Sequence, residues 1–244
     1  SELYDFKVGD IMRAFNVEEQ TKKLIEYTRE WFNKFGEDSR AIIGISGGKD
    51  SSVTAAILKE ALGADRIRGI IMPNGEMSDL EDAELLVDFL GIPSEIIPIT
   101  DYYNAAISTF EKGTLFDVTS DLKINLAPRL RMATLYAVAQ GQGVTAFVVN
   151  TCNASEDYVG YSTKYGDAAG DFSPCAKYTV TEMLLIGDAL QVPHNLVHKE
   201  PSDGLSGMSD EDKLGFTYAA LDDYIMNGRC DDEKLRGRFD YLHK

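Results

Sequence analysis

No stretch of this sequence is apolar for the length a membrane crossing needs, and no basic-then-apolar segment opens it, so neither a spanning nor a secreted protein is expected. Cysteine is scarce and odd in number: Cys152, Cys175 and Cys230 lack CxxC spacing, which sets aside a disulfide framework and a zinc knuckle and fits reduced thiols in the cytoplasm. Positive charge is also short. With 24 Lys and Arg against 40 acids the net charge is −16, and no basic stripe exists to release counterions from a nucleic-acid backbone. DNA and RNA are therefore not expected partners. A small anion remains bindable, because metal ions, helix N-termini and a few local cations set the field inside a cleft. No internal repeat, low-complexity tract or linker divides the 244 residues, and the expectation is a single domain over residues 1–244.

What is present alternates. "VEEQTKKLIEYTREWFNKFG" places Leu24, Tyr27, Trp31, Phe32 and Phe35 at helical spacing before Gly36, an aromatic stripe suited to core or dimer contact, in an N-terminal helical segment over about 1–36. The apolar run "AIIGI" reads as a strand buried on both faces, and "SSVTAAILKEALG" after it as a helix closed by Gly63. Strand-like "RIRGIIMP", helix-like "SDLEDAELLVDFLG", strand-like "SEIIPI", helix-like "LAPRLRMATLYAVAQGQG" and strand-like "VTAFVVNT" continue the pattern. Alternation of this kind predicts an α/β fold with a doubly wound, open parallel sheet and helices on both faces. Ligands then bind beyond the carboxyl ends of the strands, where residues 46–50 and 151–174 both lie. The stretch 152–174, "CNASEDYVGYSTKYGDAAGDFSP", shows neither period and reads as a long active-site loop.

"GISGGKDSS" joins the first strand to its helix, yet it is neither a Walker loop nor a dinucleotide fingerprint. Ile43 stands at the first Walker glycine, Asp50 follows Lys49, and Ser46 and Lys49 occupy fingerprint glycines. It is still an anion cradle. Gly47 and Gly48 let backbone amides converge on phosphate oxygens, and Ser46 and Ser51 add hydroxyls. A carboxylate beside polyphosphate needs a cation between them, so Asp50 reads as a magnesium ligand. The same Ser46 or Asp50 would also serve simply to cap the helix.

A strand, Ser-Gly-Gly-x-Asp-Ser, and a helix together resemble the PP-loop ATP pyrophosphatases. "MPNGEMSDLEDAELLVDFLGI", "NLAPRLRMATLYAVAQ", "NTCNASEDYVGYSTKYGDAAGDFSP", "KEPSDGL" and "SDEDKLGFTYAALDDYI" narrow the resemblance, in order and spacing, to the ammonia-dependent NAD synthetases, from about residue 18 to the end. The resemblance implies an adenine nucleotide alpha hydrolase-like fold, and ATP-driven amidation of nicotinic acid adenine dinucleotide (deamido-NAD) to NAD. Adenylation of the carboxylate releases pyrophosphate, and ammonia then displaces AMP. It further implies that the loop Gly44, Ile45, Ser46, Gly47, Gly48, Lys49, Asp50 and Ser51 binds ATP with Thr151 and Ser202, and that Asp50 and Ser46 are catalytic. Asp50 and Glu156 would hold Mg²⁺. Arg129, Lys164, Asp171 and the terminal pair His243 and Lys244 would bind deamido-NAD. A homodimer with substrate sites at its interface is implied as well.

The sequence departs from the family where a lysine is common near the ATP: Val180 stands there, with Lys177 three residues earlier. Ser202 replaces a common threonine and keeps the hydroxyl. Arg129 and Arg131 also suit a pair of solvated helix arginines, and Glu156 an ordinary loop acid. His194 and His198 stand four apart but have no third ligand nearby in sequence. No cysteine-nucleophile glutaminase motif is present, which makes ammonia the implied nitrogen source. Two other readings keep the glycine loop: another PP-loop adenylating enzyme, and a non-catalytic ATP-binding regulatory domain.

Overall fold

The computed structural model describes residues 15–199 and 210–243. The elements run α1 (Val17–Asn33), β1 (Arg40–Gly44), α2 (Lys49–Leu62), β2 (Ile67–Ile71), α3 (Leu80–Leu90), β3 (Ser94–Ile96), α4 (Thr100–Phe110), α5 (Ser120–Gln140), β4 (Ala146–Val149), α6 (Ala154–Val159), α7 (Val180–Ala189), α8 (His194–Val197), α9 (Asp210–Leu214), α10 (Tyr218–Asn227) and α11 (Glu233–Leu242). The strands pair in parallel in the order β3-β2-β1-β4. The chain winds outward from β1 through β2 to β3, then returns to the far side of β1 as β4. The strand order therefore reverses between β1 and β4, where a crevice opens.

Alternation along the strands sends side chains to two cores. Ala41 and Ile43 of β1, Ile67 and Ile71 of β2 and Val149 of β4 pack with residues of α1, α2, α3 and α8. Ile42, Ile70 and Val148 pack on the opposite face with Ile99 and with Ala127 and Ala139 of α5. A third cluster joins Val159 and Val180 to Tyr218, Leu221 and Phe239 near the C-terminal helices.

The two helical layers differ. On the first face α2 buries most of its length, from Ser51 to Ala61. On the second, α4 has no buried residue and α5 buries only Ala127 and Ala139 over 21 residues. The N-terminal stripe serves two clusters: Phe32 packs into the first core, where Trp31 stacks on Phe172 with ring centroids 4.5 Å apart, and Leu24 packs with Val53, Ile57 and Met183.

The stretch 152–174 is not all loop. Its start folds as α6, because Asn153 and Glu156 form a capping box and Gly160 ends the helix in the left-handed conformation. Six helical residues are too few for a 3.6-residue period to register, which is why no periodicity showed there.

Candidate active site

β1 is buried from Ala41 to Ile43, which fixes the height at which the chain leaves the sheet. The turn that follows uses Gly47 at φ +78°, and a Cβ there would lie 2.6 Å from the Asp79 carbonyl oxygen. Glycine is required on both counts. The N-cap of α2 is Gly48, with no side-chain cap bond, so neither Ser46 nor Asp50 caps the helix. Instead Ser46 Oγ accepts from the Gly48 amide at 3.2 Å and lies 3.0 Å from Ser51 Oγ, bracing the turn internally. The first-turn amides of α2 are left without a side-chain cap, an arrangement suited to an external anion.

β4 ends beside β1, and the residues after it meet this turn. Asn153 Nδ2 donates to Asp50 Oδ1 at 3.0 Å across 103 residues of sequence, while Asn153 Oδ1 caps α6 by accepting from the Ser155 and Glu156 amides at 3.0 Å. One buried asparagine thus fixes the relation between Asp50 and the helix carrying Glu156. The other Asp50 oxygen, Oδ2, accepts from Lys49 Nζ at 2.7 Å. Lys49 is only 6% exposed, and its ammonium sits 5.6 Å from the centre of the Tyr218 ring. Buried Asp222 takes hydrogen bonds from Ser155 Oγ and from the amide and hydroxyl of Thr181. Burial raises the Asp222 pKa, with Ser155, Thr181 and the Lys49 charge pulling it back.

These elements enclose a cavity of about 770 Å³ at the switch point. Gly44, Ile45, Ser46, Gly48, Lys49, Asp50 and Ser51 line it, as do Thr151 and Glu156 from the β4 side. Gly47 instead faces α3 through Asp79. Beside the loop, where Gly47 meets α3, Lys199 Nζ bridges Asp79 Oδ1 at 2.6 Å and Asp82 Oδ2 at 2.5 Å, and Lys199, Asp79 and Lys213 also line the space. Arg131 reaches in from α5 with its Nε on the Met72 carbonyl at 3.0 Å, and burial lowers its pKa, partly offset by Asp167. Cys152, at the rim, has its thiol pushed up to about 12 by burial and by Glu156, which keeps it protonated and unreactive.

The remaining expected residues stand elsewhere. Arg129 is exposed on α5, its Nε on the Lys164 carbonyl at 3.2 Å, and the Lys164 side chain lies over the Tyr165 ring. Asp171 accepts from the Val148 amide at 2.8 Å and from the Tyr136 hydroxyl at 3.1 Å, so it closes the outer edge of β4. None of the three is among the cavity-lining residues. His243 stacks on Tyr158 with ring centroids 3.9 Å apart, against the end of α6. Lys177 is exposed and Val180 is buried at the start of α7. Ser202 and Lys244 lie outside the described residues. His194 and His198 stack on each other, and His198 meets Asp188 at 2.8 Å.

Sequence reasoning missed Asn153, Lys199 and Asp79, and set Arg131 aside. The N-x-x-E spacing of Asn153 and Glu156 was a usable signal for the first, since it announces a capping box. Lys199 opens the "KEPSDGL" stretch, which was its signal, but its partners on α3 lie more than a hundred positions away.

Among the described residues no three His, Cys, Asp or Glu side chains cluster as a closed metal site. Asp50 and Glu156 nonetheless fit magnesium, which binds through one or two carboxylates and completes its shell with water and substrate phosphate. Both carboxylates face the cavity beside the uncapped helix end.

A profile described as NAD synthase matches residues 20–239. The NH3-dependent NAD+ synthetase of Finegoldia magna is 40% identical over 210 residues, covering 84% of each chain. That of Pyrococcus furiosus is 38% identical over 88% of this chain and 79% of its own. Among solved structures, the NMN synthetase from Francisella tularensis superposes with a TM-score of 0.85 at 33% identity, over 94% of this chain and 93% of that one. The NH3-dependent NAD synthetase from Campylobacter jejuni superposes with a TM-score of 0.73 at 25% identity, over 94% of both. A glycine turn, a carboxylate pair and a switch-point cavity, carried by a sequence this similar over this much of its length, lead to one conclusion: the chain belongs to the NAD synthase family.

Proposed function

We propose that the chain is an ammonia-dependent NAD synthetase, a ligase that adenylates the nicotinate carboxylate of deamido-NAD with ATP and lets ammonia displace AMP. The observation that carries this reading is the meeting of the Ser46–Ser51 turn with Glu156 in one cavity, with buried Asn153 tying Asp50 to the helix of Glu156. A carboxylate is a poor acyl donor, and making its oxygen part of a phosphate leaving group brings attack by a dilute amine within reach. Gly44, Ile45 and Gly48 present backbone to the phosphates, Gly47 makes the turn that brings them there, Ser46 and Ser51 donate hydroxyls, and Thr151 and Ser202 complete the ATP contacts. Asp50 and Glu156 would hold Mg²⁺, which when bound neutralises charge building on the departing pyrophosphate. Lys199 and Arg131 stand where further positive charge can meet phosphate or carboxylate. Excluding water protects the adenylate from hydrolysis.

Arg129, Lys164, Asp171, His243 and Lys244 are proposed to bind deamido-NAD. Their described members lie outside the cavity of a single chain, and this supports a homodimer in which a second copy covers the α4–α5 face; the free thiols of Cys152, Cys175 and Cys230 suit a cytoplasmic setting. Leu115, Phe116 and Ile124 are 96%, 50% and 50% exposed there. A single unit spanning residues 1–244 would form each protomer.

The test is pyrophosphate release from ATP and Mg²⁺ with deamido-NAD, run with ammonium and separately with glutamine. Release that depends on deamido-NAD and ammonium is expected; no such dependence overturns the reading, and equal use of glutamine overturns the ammonia assignment. A second reading amidates a mononucleotide, and is favoured by the 33% identity to a structure named as an NMN synthetase. Comparing kcat/KM for deamido-NAD and for nicotinic acid mononucleotide decides between them.

A further inference from the structure

Lys49 is an unfavourable residue for its place. It is the first residue of α2, where the helix dipole favours anions, and it is 6% exposed, where an ammonium loses hydration. Its ammonium is offset by Asp50 at 2.7 Å, by the face of the Tyr218 ring, and by the field of buried Asp222. Both oxygens of Asp50 are consequently engaged, Oδ1 by Asn153 and Oδ2 by Lys49. Any cation that coordinates Oδ2 meets the like charge of the ammonium 2.7 Å from that oxygen.

We propose that Lys49 is a positioning residue that stands in for the divalent cation on Asp50 until nucleotide arrives, so that the site takes its metal together with ATP rather than ahead of it. The inference rests on the reading of Asp50 and Glu156 as metal ligands. In the nucleotide-free site, ammonium and metal compete for one carboxylate oxygen. Bound phosphates change the balance, because they supply oxygens to both cations, and Lys49 lines the cavity into which its flexible side chain can turn. Metal and ATP binding are then positively coupled, and the coupling is reciprocal. In the meantime the ammonium and Asn153 keep Asp50 in one orientation.

The experiment is titration of the full-length protein with Mn²⁺, followed by electron paramagnetic resonance, with and without ATP and with no acyl substrate present. Wild type is expected to bind Mn²⁺ weakly alone and more tightly with ATP. Lys49→Met should tighten nucleotide-free Mn²⁺ binding about tenfold, the effect of releasing one partly screened ion pair, and so shrink the coupling to ATP. Lys49→Arg should behave as wild type. Asp50→Asn introduced beside Lys49→Met should abolish the gain. Nucleotide-free affinity that is unchanged or weaker in Lys49→Met overturns the proposal while leaving the metal reading intact, provided that Mn²⁺ still binds with ATP. No Mn²⁺ binding by wild type even with ATP overturns both. Should Lys49→Met not fold, Lys49→Arg remains the test, and nucleotide-free binding tighter than wild type by that variant overturns the proposal.

Discussion

The crevice between β1 and β4 and the outer face of α4 and α5 lie on the same protein and differ in how complete one chain makes them. At the crevice every contributing group is braced from within: Ser46 by Ser51 and Gly48, Asp50 by Asn153 and Lys49, and Glu156 by the capping box it helps to form. On the α4–α5 face, Arg129 and Lys164 touch only through a backbone carbonyl, and large apolar side chains remain in water. The first is a site already shaped for a small charged ligand. The second is an open face, where Arg129 and Lys164, proposed above to bind deamido-NAD, stand outside the cavity. A braced site should lose function when one internal contact is removed. An open face should lose affinity gradually and depend on protein concentration.

The largest expected effect strikes the braced site. Asp50→Ala should lower kcat by on the order of a thousandfold, measured as pyrophosphate release, since loss of a metal clamp costs several kcal/mol of barrier at ~1.4 kcal/mol per decade. A variant keeping more than about a tenth of wild-type activity would break the comparison on this side.

Alkaline pH tests how dry the crevice is at Cys152 and how dry the packing beneath α2 is at Cys175. Burial raises both Cys152 and Cys175 from an ordinary value near 9 to about 12. The folded state therefore holds protons that the unfolded chain gives up first. The stability these thiols supply is fully present below about pH 9 and is lost as pH rises toward about 12. Urea midpoints should fall across that window by an amount equivalent to a few kcal/mol, and replacing Cys175 with alanine should flatten the slope. A pH-independent midpoint would mean that water reaches both thiols.

Gly47→Ala should cost about 2 kcal/mol of stability and weaken ATP binding, read by thermal melting and nucleotide titration, because the new methyl meets the Asp79 carbonyl in a left-handed turn. Full stability would show that α3 yields there. The smallest effect belongs to the open face: Arg129→Ala should raise KM for deamido-NAD about tenfold and leave KM for ATP unchanged, the loss of one charge-assisted contact. Equal shifts for both substrates would erase the distinction between the two regions. Sedimentation of the wild type over a range of concentrations sharpens it, with dimer expected at the higher ones.

The sequence was most legible where chemistry is packed into a short run. Buried strands flanking a Ser-Gly-Gly-x-Asp-Ser turn left few choices for the β1–α2 unit, and alternating strands and helices led to the parallel sheet that the structure has. The capping box at Asn153 is written in the sequence, but its six-residue helix is too short to show a 3.6-residue period. Helix α5 was read from its apolar residues and in fact starts earlier, at Ser120, where Thr119 caps it with a side chain. Arg129 and Arg131 look alike in sequence. The helix turns about 100° per residue, so one faces solvent and the other the crevice.

By itself the sequence determined the class of fold and the glycine turn between β1 and α2, because each depends on neighbouring residues and on periodicity. Only the tertiary structure decided which groups meet: Asp50 with Asn153, Lys199 with Asp79 and Asp82, and Lys49 with Tyr218. Those pairs join segments far apart in the chain. Their distances follow from where β4 enters the sheet beside β1 and from how the helices pack over it, and no local preference encodes them.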